Sequence, residues 1–169
     1  MALSVALIEP QIPPNTGNVV RLVAATDTTL HLIGPLGFSL DDAALRRAGL
    51  HYWDDSDVWV HPSWRAFREV VSRERCLYFS AQGTTPYLEA PYAANSVLVF
   101  GSETQGMPRR VIEKYPDRVY RIPMRTDVRS LNLATAVGIV LYEALRQTAE
   151  LVGGWGMVQS PRERNGVGR

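Results

Sequence analysis

The amino-acid sequence predicts an α/β fold in which helices cover both faces of a mostly parallel sheet. Short apolar runs alternate with segments whose apolar residues recur at helical spacing, and short loops join them. Of the 169 residues, 46% are hydrophobic and 21% are charged, which is usual for one folded domain. We expect residues 1–153 to form this domain and residues 154–169, which include four glycines and Pro161, to form a flexible C-terminal tail.

Each predicted strand is a short apolar run that stops at a turn residue. The first run stops before Pro10, the second before Gly34 and Pro35, and the last before Pro123. Continuous apolar runs of this length are typical of strands that are buried on both faces. The expected strands are residues 3–8, 29–33, 58–61, 76–80, 96–100 and 119–122.

Each predicted helix has inward-facing apolar residues and a capping residue or a proline near its start. Asn15 or Thr16 begins the first helix, and Asp41 caps the second. Pro62 precedes the third helix, and Pro108 lies in the first turn of the fourth. The last helix is apolar on nearly all sides, so it is either central to the fold or half of a subunit interface. The expected helices are residues 15–26, 41–48, 63–72, 108–115 and 130–152.

Composition also limits the classes of function. Cys76 is the only cysteine, which excludes an internal disulfide framework and a multi-cysteine metal site. The formal net charge of +1 lacks the strong positive excess of a simple nucleic-acid-binding domain. We recognise no export signal and no apolar stretch long enough to cross a bilayer, so we expect a cytoplasmic protein.

Three loops that follow strands have unusual residue combinations, and ligands of open α/β sheets bind where strands end. The first loop, residues 15–21, reads Asn-Thr-Gly-Asn-Val-Val-Arg. Its amides lie at a helix start and can hold an anion. Arg21 falls among apolar positions, where an arginine needs a partner or a ligand. A plain N-cap followed by an exposed arginine is the alternative explanation.

The second loop, residues 101–106, reads Gly-Ser-Glu-Thr-Gln-Gly and follows an apolar strand. Its two glycines indicate close approach of the backbone to a ligand, although a tight turn capped by Glu103 explains them equally well. The spacing matches neither a P-loop nor a Rossmann fingerprint, which argues against ATP or NAD through those motifs.

The third loop, residues 122–133, reads Ile-Pro-Met-Arg-Thr-Asp-Val-Arg-Ser-Leu-Asn-Leu. It leaves a strand at a proline, and Ser130 or Asn132 begins the last helix. The alternative without functional meaning is an ordinary N-cap at Ser130.

The other polar clusters are interpreted as structural. His31, His51 and His61 lack metal-ligand spacing, and Cys76 begins a buried strand as an inert thiol. An acidic turn is better explained by solvation than by a bound cation, and it contains Asp54, Asp55 and Asp57. We expect no metal site.

Together the three loops resemble the motifs of the SPOUT, or α/β-knot, RNA methyltransferases. Residues 8–18, Ile-Glu-Pro-Gln-Ile-Pro-Pro-Asn-Thr-Gly-Asn, are similar to the TrmL (YibK) branch, as are residues 46–50 with Tyr52. Members of that branch 2′-O-methylate the wobble nucleotide 34, a cytidine or a modified uridine, of certain tRNAs. The similarity spans residues 3–147. The second motif differs at Gln105, where the branch often has an arginine, and this removes one cation that can contact phosphate.

The resemblance implies a C-terminal deep trefoil knot and a homodimer packed through the first and last helices. It also implies S-adenosyl-L-methionine bound within the knot, with S-adenosyl-L-homocysteine as the product. Main-chain groups of Gly101 and Ile122 would contact the adenine and ribose of that cofactor. The implied cofactor-binding residues are Phe79, Gly101, Glu103, Gly106, Ile122, Met124, Ser130 and Leu131.

Arg21, Ser130 and Asn132 are the catalytic residues that the resemblance implies. Because arginine is a poor base, we expect Arg21 to hold a neighbouring phosphate and stabilise developing negative charge, with proton abstraction as the alternative. Ser130 and Asn132 would hold the ribose or the cofactor. The implied contacts to substrate RNA are Asn15, Asn18, Arg21, Arg125 and Arg129.

Positive charge is concentrated in one segment. Residues 109–129 contain seven basic and three acidic side chains, a net charge of +4, so the rest of the chain carries −3. A patch of this kind binds phosphate in a salt-dependent way, whereas a solvated helix face with scattered arginines is the alternative. Two other functions stay open, namely 2′-O-methylation of another tRNA position or of ribosomal RNA, and RNA binding without catalysis.

Overall fold

A computed structural model of the chain describes residues 3–41, 43, 47, 52, 53 and 56–148. Within these residues seven strands form one sheet, and every pair of neighbouring strands is parallel. The order across the sheet is β3-β2-β1-β6-β4-β7-β5. The strands are β1 (Ser4–Ile8), β2 (Thr29–Ile33), β3 (Val58–His61), β4 (Cys76–Phe79), β5 (Thr85–Pro86), β6 (Val97–Phe100) and β7 (Val119–Arg121).

All six strands predicted from apolar runs are confirmed. β1, β4 and β6 are buried along their whole length, as expected for strands with helices on both sides. The structure adds β5, which pairs with β7 at the edge of the sheet. β5 has only two residues, Thr85 and Pro86, so it produces no apolar run that a sequence reading can detect.

The helices with complete boundaries are α1 (Pro13–Ala25), α2 (Trp64–Val70), α3 (Arg109–Lys114) and α4 (Leu133–Gln147). α1 begins two residues before the predicted Asn15, because Pro13 and Pro14 occupy its first positions, where a missing N–H costs nothing. α4 begins after Asn132, so Ser130 belongs to the preceding loop. The predicted helix at 41–48, the end of the last helix and the tail at 154–169 lie largely or wholly outside the described residues.

Two apolar cores lie on opposite faces of the sheet. On one face Val19 and Val23 of α1 pack with Val137 and Leu141 of α4. On the other face Phe67 of α2 packs in a cluster with Val111 of α3. The expectation of a parallel sheet covered on both faces is therefore confirmed.

α4 is only partly covered within one chain. Its positions 137, 140, 141, 144 and 145 are buried, whereas Tyr142 is 44% exposed. Gly138 and Ile139 are half-buried on the same side of the helix as Tyr142. The apolar sequence of this helix thus has one core face and one face left to solvent in the single chain. Among the residues described, none of the helices combines the length and apolar character that a bilayer crossing requires.

Candidate functional site

A cavity of about 470 Å3 opens where β4, β6 and β7 end. The loops that follow these three strands form its walls, and the start of α4 closes one side. Arg129 and Gln105 also line it. All the residues that the resemblance assigns to the cofactor line this one cavity, namely Phe79, Gly101, Glu103, Gly106, Ile122, Met124, Ser130 and Leu131.

Aromatic side chains form the inner wall of the cavity. Phe79 ends β4 and Phe100 ends β6, and their rings stack with centroids 5.2 Å apart. The Tyr92 ring also stacks with the Phe79 ring, with centroids 6.3 Å apart. Phe79 and Phe100 are almost fully buried, so their ring edges give the cavity a rigid apolar wall.

The Gly101–Gly106 loop closes on itself. Ser102 and Gly106 exchange two main-chain hydrogen bonds, with N···O distances of 3.2 and 2.8 Å. Gly106 has a φ of 67°, which favours glycine. A Cβ atom on Gly101 would lie 2.1 Å from the carbonyl carbon of Gly106. The close approach expected from the two glycines is therefore made by the ends of this loop to each other.

The Glu103 carboxylate leaves this loop and binds the start of α1. It accepts hydrogen bonds from the main-chain N–H groups of Gln11 and Ile12, at 2.8 and 3.1 Å. It also accepts one from Nδ2 of Asn15 at 3.2 Å. Ile12 is the N-cap of α1 and makes no side-chain cap of its own. Glu103 thus supplies the cap from about ninety residues away, with a charge that suits a helix start.

Asn15 connects this arrangement to the third loop. Its Oδ1 accepts a hydrogen bond from Nδ2 of Asn132 at 2.8 Å. Oδ1 of Asn132 in turn accepts from the main-chain N–H of Thr135 and caps α4. The chain Asn132–Asn15–Glu103 therefore joins all three loops, and we call it the three-loop network. The side chain of Asn15 is 8% exposed and bonded at both ends, so in this conformation it is not available to RNA.

Arg21 and Asn18 are exposed on α1 and do not line the cavity. Six residues separate Arg21 from Asn15, a rotation of about 240° around the helix, so the two side chains leave it in different directions. The Arg21 guanidinium carbon lies 5.4 Å from the ring centroid of Tyr52. Arg21 is thus exposed, as the alternative explanation expected, and its cation–π contact lies on the protein surface.

Much of the positive charge of residues 109–129 is used within the chain. Arg118 donates hydrogen bonds to three main-chain carbonyls in the segment 73–76, and Arg125 forms a double hydrogen bond with Asp127. Arg109 pairs with Glu113 at 2.6 Å. The other three arginines of this segment make no ion pair or hydrogen bond within the described part of the chain. They are Arg110, Arg121 and Arg129.

Two of the three histidines form a buried pair. Nδ1 of His31 lies 3.0 Å from Nε2 of His61, on the neighbouring strands β2 and β3. Burial, with His61 as the second cause, lowers the pKa of His31 to about 4, and burial lowers the pKa of His61 as well. Both rings pack edge-on against Phe67. These contacts agree with a structural role for the pair.

The other residues interpreted as structural lie apart from the cavity. Burial raises the pKa of the Cys76 thiol, which therefore stays protonated at neutral pH. Asp57 accepts hydrogen bonds from the Thr29 hydroxyl and the Trp59 indole. Within the described residues no three His, Cys, Asp or Glu side chains cluster as metal ligands. His51, Asp54 and Asp55 lie outside the described residues.

Comparison with known protein families shows to which family this chain belongs. Residues 2–142 match the model of the SpoU rRNA Methylase family. The chain belongs to the SpoU rRNA methylase family. This family match covers the strands, the cavity and the three-loop network described above.

Similar family members are named for one reaction. A protein of Burkholderia cenocepacia named tRNA (cytidine(34)-2'-O)-methyltransferase is 46% identical over 147 residues, which are 85% of this chain and 94% of that protein. A protein of the same name from Escherichia coli is 44% identical over 146 residues, 86% of this chain and 93% of that protein.

Solved structures of SpoU methylases have the same fold. One, described as structural insights into the 2-OH methylation of C/U34 on tRNA, has a TM-score of 0.80 and 44% identity, and covers 87% of this chain and 91% of its own. An AdoMet-bound rRNA methyltransferase from Sinorhizobium meliloti has a TM-score of 0.76 and 25% identity, and covers 86% of this chain and 56% of its own.

Proposed function

We propose that this SpoU methylase transfers the methyl group of S-adenosylmethionine to the 2′-hydroxyl of nucleotide 34, a cytidine or a modified uridine, in tRNA. The observation that carries the proposal is the single cavity lined by the second and third loops, to which the three-loop network joins the first loop through Asn15. The names of relatives at 44–46% identity support position 34 as the target.

The residues that line the cavity fit the proposed cofactor. A volume of about 470 Å3 lies in the usual range for small-molecule sites, and the wall combines aromatic rings with exposed main-chain groups. In the proposed binding mode Gly101 and Ile122 contact the cofactor through their main chains. Phe79, Met124 and Leu131 pack on its apolar parts. The cofactor supplies a methyl group already activated for transfer, so the protein has to orient the reactants.

Methyl transfer forms a bond between the ribose 2′-oxygen and the methyl carbon, breaks the methyl–sulfur bond and releases the hydroxyl proton. In the proposed mechanism Arg21 binds the phosphate next to the target ribose and stabilises the developing negative charge on the 2′-oxygen. The proton passes to solvent, because a guanidinium group stays protonated at physiological pH. Arg21 is free to do this because its cation–π contact with Tyr52 leaves its N–H groups available.

We propose separate roles for the polar residues at the start of α4. The Ser130 hydroxyl lines the cavity and would bind the ribose, and Arg129 beside it would bind a phosphate. Asn132 would act on catalysis as a positioning residue, since its side chain is committed to the α4 cap and to Asn15. Asn18 and Arg125 are exposed and are proposed RNA contacts at the rim.

We further propose a homodimer packed through α1 and α4. The supporting observation is the solvent-facing stripe of α4 that includes Ile139 and Tyr142, next to Leu22 of α1. A second copy of the chain would cover this stripe. The deep trefoil knot around the three loops and a cytoplasmic location, where tRNA is available, complete the proposal.

Nucleoside mass spectrometry tests the proposed reaction. Total tRNA from a strain that lacks this gene should have lost a 2′-O-methylated nucleoside at position 34, and purified enzyme with S-adenosylmethionine should restore it in vitro. An enzyme carrying Arg21→Ala should not restore it. An unchanged set of position-34 nucleosides in the deletion strain would overturn the proposal.

Nucleoside mass spectrometry separates one alternative, and calorimetry separates the other. A methyl group missing from another tRNA position or from ribosomal RNA would assign the enzyme to a different target within the SpoU family. A protein that binds RNA without catalysis would show no heat of S-adenosylmethionine binding in calorimetry. The Glu103 contacts that join the cavity loop to α1 favour the catalytic form.

A further inference from the structure

A second cleft opens at the same edge of the sheet, where β1, β2 and β3 end. Its volume is about 510 Å3. Glu9 follows β1, Gly34 follows β2, and Trp64 lies shortly after β3. The wall on the other side is α3, which contributes Arg110 and Lys114. None of these residues lines the cavity of about 470 Å3 proposed to bind S-adenosylmethionine, which we call the methyl-donor cavity.

Positive charge dominates this second cleft. Three cations line it, Arg65, Arg110 and Lys114, against the single carboxylate of Glu9. Arg65 is paired with Glu69 at 3.5 Å in an exposed contact that solvent weakens. Arg110 makes no ion pair or hydrogen bond among the residues described, and Lys114 lies 5.5 Å from the ring centroid of Tyr115. The cleft is thus complementary to a polyanion.

Aromatic rings form the floor of the second cleft. Tyr115 stacks on the buried ring of Tyr78 with centroids 5.3 Å apart and an interplanar angle of 10°. The Trp64 ring lies beside the rings of Tyr78 and Phe67, with centroid distances of 6.5 and 5.2 Å. Trp64 and Tyr115 are half-buried, so each keeps an exposed part that is fixed in position. Fixed aromatic rings beside cations are the usual platform for single-stranded RNA.

The second cleft is connected to the methyl-donor cavity through one continuous segment. Met107 lines the cavity, Pro108 follows it, and α3 begins at Arg109. The cavity wall packs with the α1–α4 core and the cleft floor with the α2–α3 core, so the two sites lie on opposite faces of one sheet edge. An RNA strand that crosses this edge can reach both.

We propose that the second cleft binds a segment of the substrate RNA outside the target nucleotide, with its phosphates on Arg110 and Lys114 and a base against Trp64 or Tyr115. This inference rests on the proposed function for the identity of the RNA. In this proposal the second cleft increases the affinity for tRNA, and methyl transfer takes place at the methyl-donor cavity.

The test compares two variants of the same helix in tRNA binding. Arg110→Ala/Lys114→Ala removes both cleft cations, and Arg109→Ala removes a cation of α3 that pairs with Glu113 and does not line the cleft. The double variant should bind tRNA about tenfold more weakly and lower the slope of log Kd against log salt by about 2, because two phosphate contacts are lost. kcat at saturating tRNA and S-adenosylmethionine affinity should be unchanged.

Equal affinities and equal salt slopes of the double variant and Arg109→Ala would overturn the proposal. Ultraviolet cross-linking of the wild-type enzyme to tRNA gives a second readout that needs no variant. A nucleotide adduct is expected on a peptide that contains Trp64 or Tyr115. Adducts confined to peptides of the methyl-donor cavity would contradict the cleft assignment.

The RNA-binding role of the second cleft and the proposed methylation of nucleotide 34 can fail independently of each other. If the wild-type enzyme methylates nucleotide 34 and the double variant binds tRNA normally, only the cleft proposal fails. If the wild-type enzyme leaves nucleotide 34 unmodified but its RNA binding depends on Arg110 and Lys114, the proposed reaction fails and the cleft proposal stands.

Discussion

The two concave sites of this SpoU methylase differ in what their walls offer. The methyl-donor cavity is built from main chain and aromatic rings, with Glu103 turned away toward α1 and Arg129 at its rim. The second cleft has three cations and two half-buried aromatic rings. A small ligand of defined shape is bound by a rigid backbone, whereas a polyanion is bound by charge. Under the two proposals, recognition by shape and recognition by charge occur at opposite faces of one sheet edge.

Substitution of Gly101 should have the largest effect, since it breaks the shape of the methyl-donor cavity. In Gly101→Ala the new Cβ would lie 2.1 Å from main-chain carbon of Gly106, so the loop has to move. We expect S-adenosylmethionine affinity to fall on the order of 100-fold, measured by calorimetry. tRNA affinity, which we assign to charged residues elsewhere, should change little.

Gly138→Ala is the matched control for that substitution. Its Cβ would lie 3.8 Å from Leu22 Cδ2, an ordinary contact, and Gly138 does not line the cavity. Sedimentation of both variants should be compared, because Gly138 belongs to the proposed dimer face. S-adenosylmethionine affinity of Gly101→Ala equal to that of Gly138→Ala would show that the loop is not part of the binding site.

Removal of the Arg21 guanidinium should slow methyl transfer without changing ligand binding at the methyl-donor cavity or the second cleft. For Arg21→Ala we expect the single-turnover rate of methyl transfer at saturating tRNA to fall about 100-fold, the usual cost of losing a group that stabilises developing charge. S-adenosylmethionine affinity should be unchanged, because Arg21 does not line the cavity. A wild-type rate would remove Arg21 from the mechanism.

Glu103→Gln should loosen the cavity while keeping the size and shape of one lining side chain nearly unchanged. The carboxylate accepts three hydrogen bonds, from Gln11, Ile12 and Asn15, and an amide cannot accept all of them with its nitrogen. We expect the free energy of unfolding in urea to fall by about 1–3 kcal/mol. Glu113→Gln, which removes an exposed ion pair with Arg109, should cost about 0.5 kcal/mol or less.

The smallest effect that we expect is a pH dependence of stability caused by His31, which lies in the half of the sheet next to the second cleft. The folded-state pKa of His31 is about 4, below the usual histidine pKa of 6.5, so the unfolded state binds more protons between these two pH values. Stability is therefore full above pH 6.5 and is lost as the pH falls toward 4. Burial is the main cause, with His61 and Arg75 adding to it and Asp57 opposing it.

Urea unfolding at pH 7 and pH 5 measures this loss, which we expect to be on the order of 1–2 kcal/mol in the wild type. His31→Gln cannot be protonated and should lose most of the difference. Equal pH dependence in the variant and the wild type would contradict the role of the pair.

The sequence predicts the elements better than it predicts the contacts between them. Continuous apolar runs mark a buried strand such as β1 without knowledge of its neighbours, and the six predicted strands are confirmed. Helix starts are less exact, as Pro13 and Asn132 show, because a proline or an asparagine each suits more than one position near a helix start.

Long-range contacts are beyond such patterns. Glu103 caps α1 from a different loop, and no spacing in the sequence relates it to Ile12. The second cleft is assembled from the ends of three strands and from α3, so its charges come together only in the folded chain. In the basic segment 109–129 the sequence predicts an exposed patch of charge, and the fold removes part of it. Arg118 of this segment donates hydrogen bonds to main-chain carbonyls and is not part of an exposed patch.

One measurement tests the central claim directly. Two synthetic tRNAs that differ only in the ribose of nucleotide 34, one with its 2′-hydroxyl and one 2′-deoxy, are incubated with purified enzyme and S-adenosylmethionine labelled in the methyl group. We expect label to enter the first tRNA, and the second tRNA to stay unlabelled while it binds with similar affinity. Equal labelling of both tRNAs would contradict the central claim.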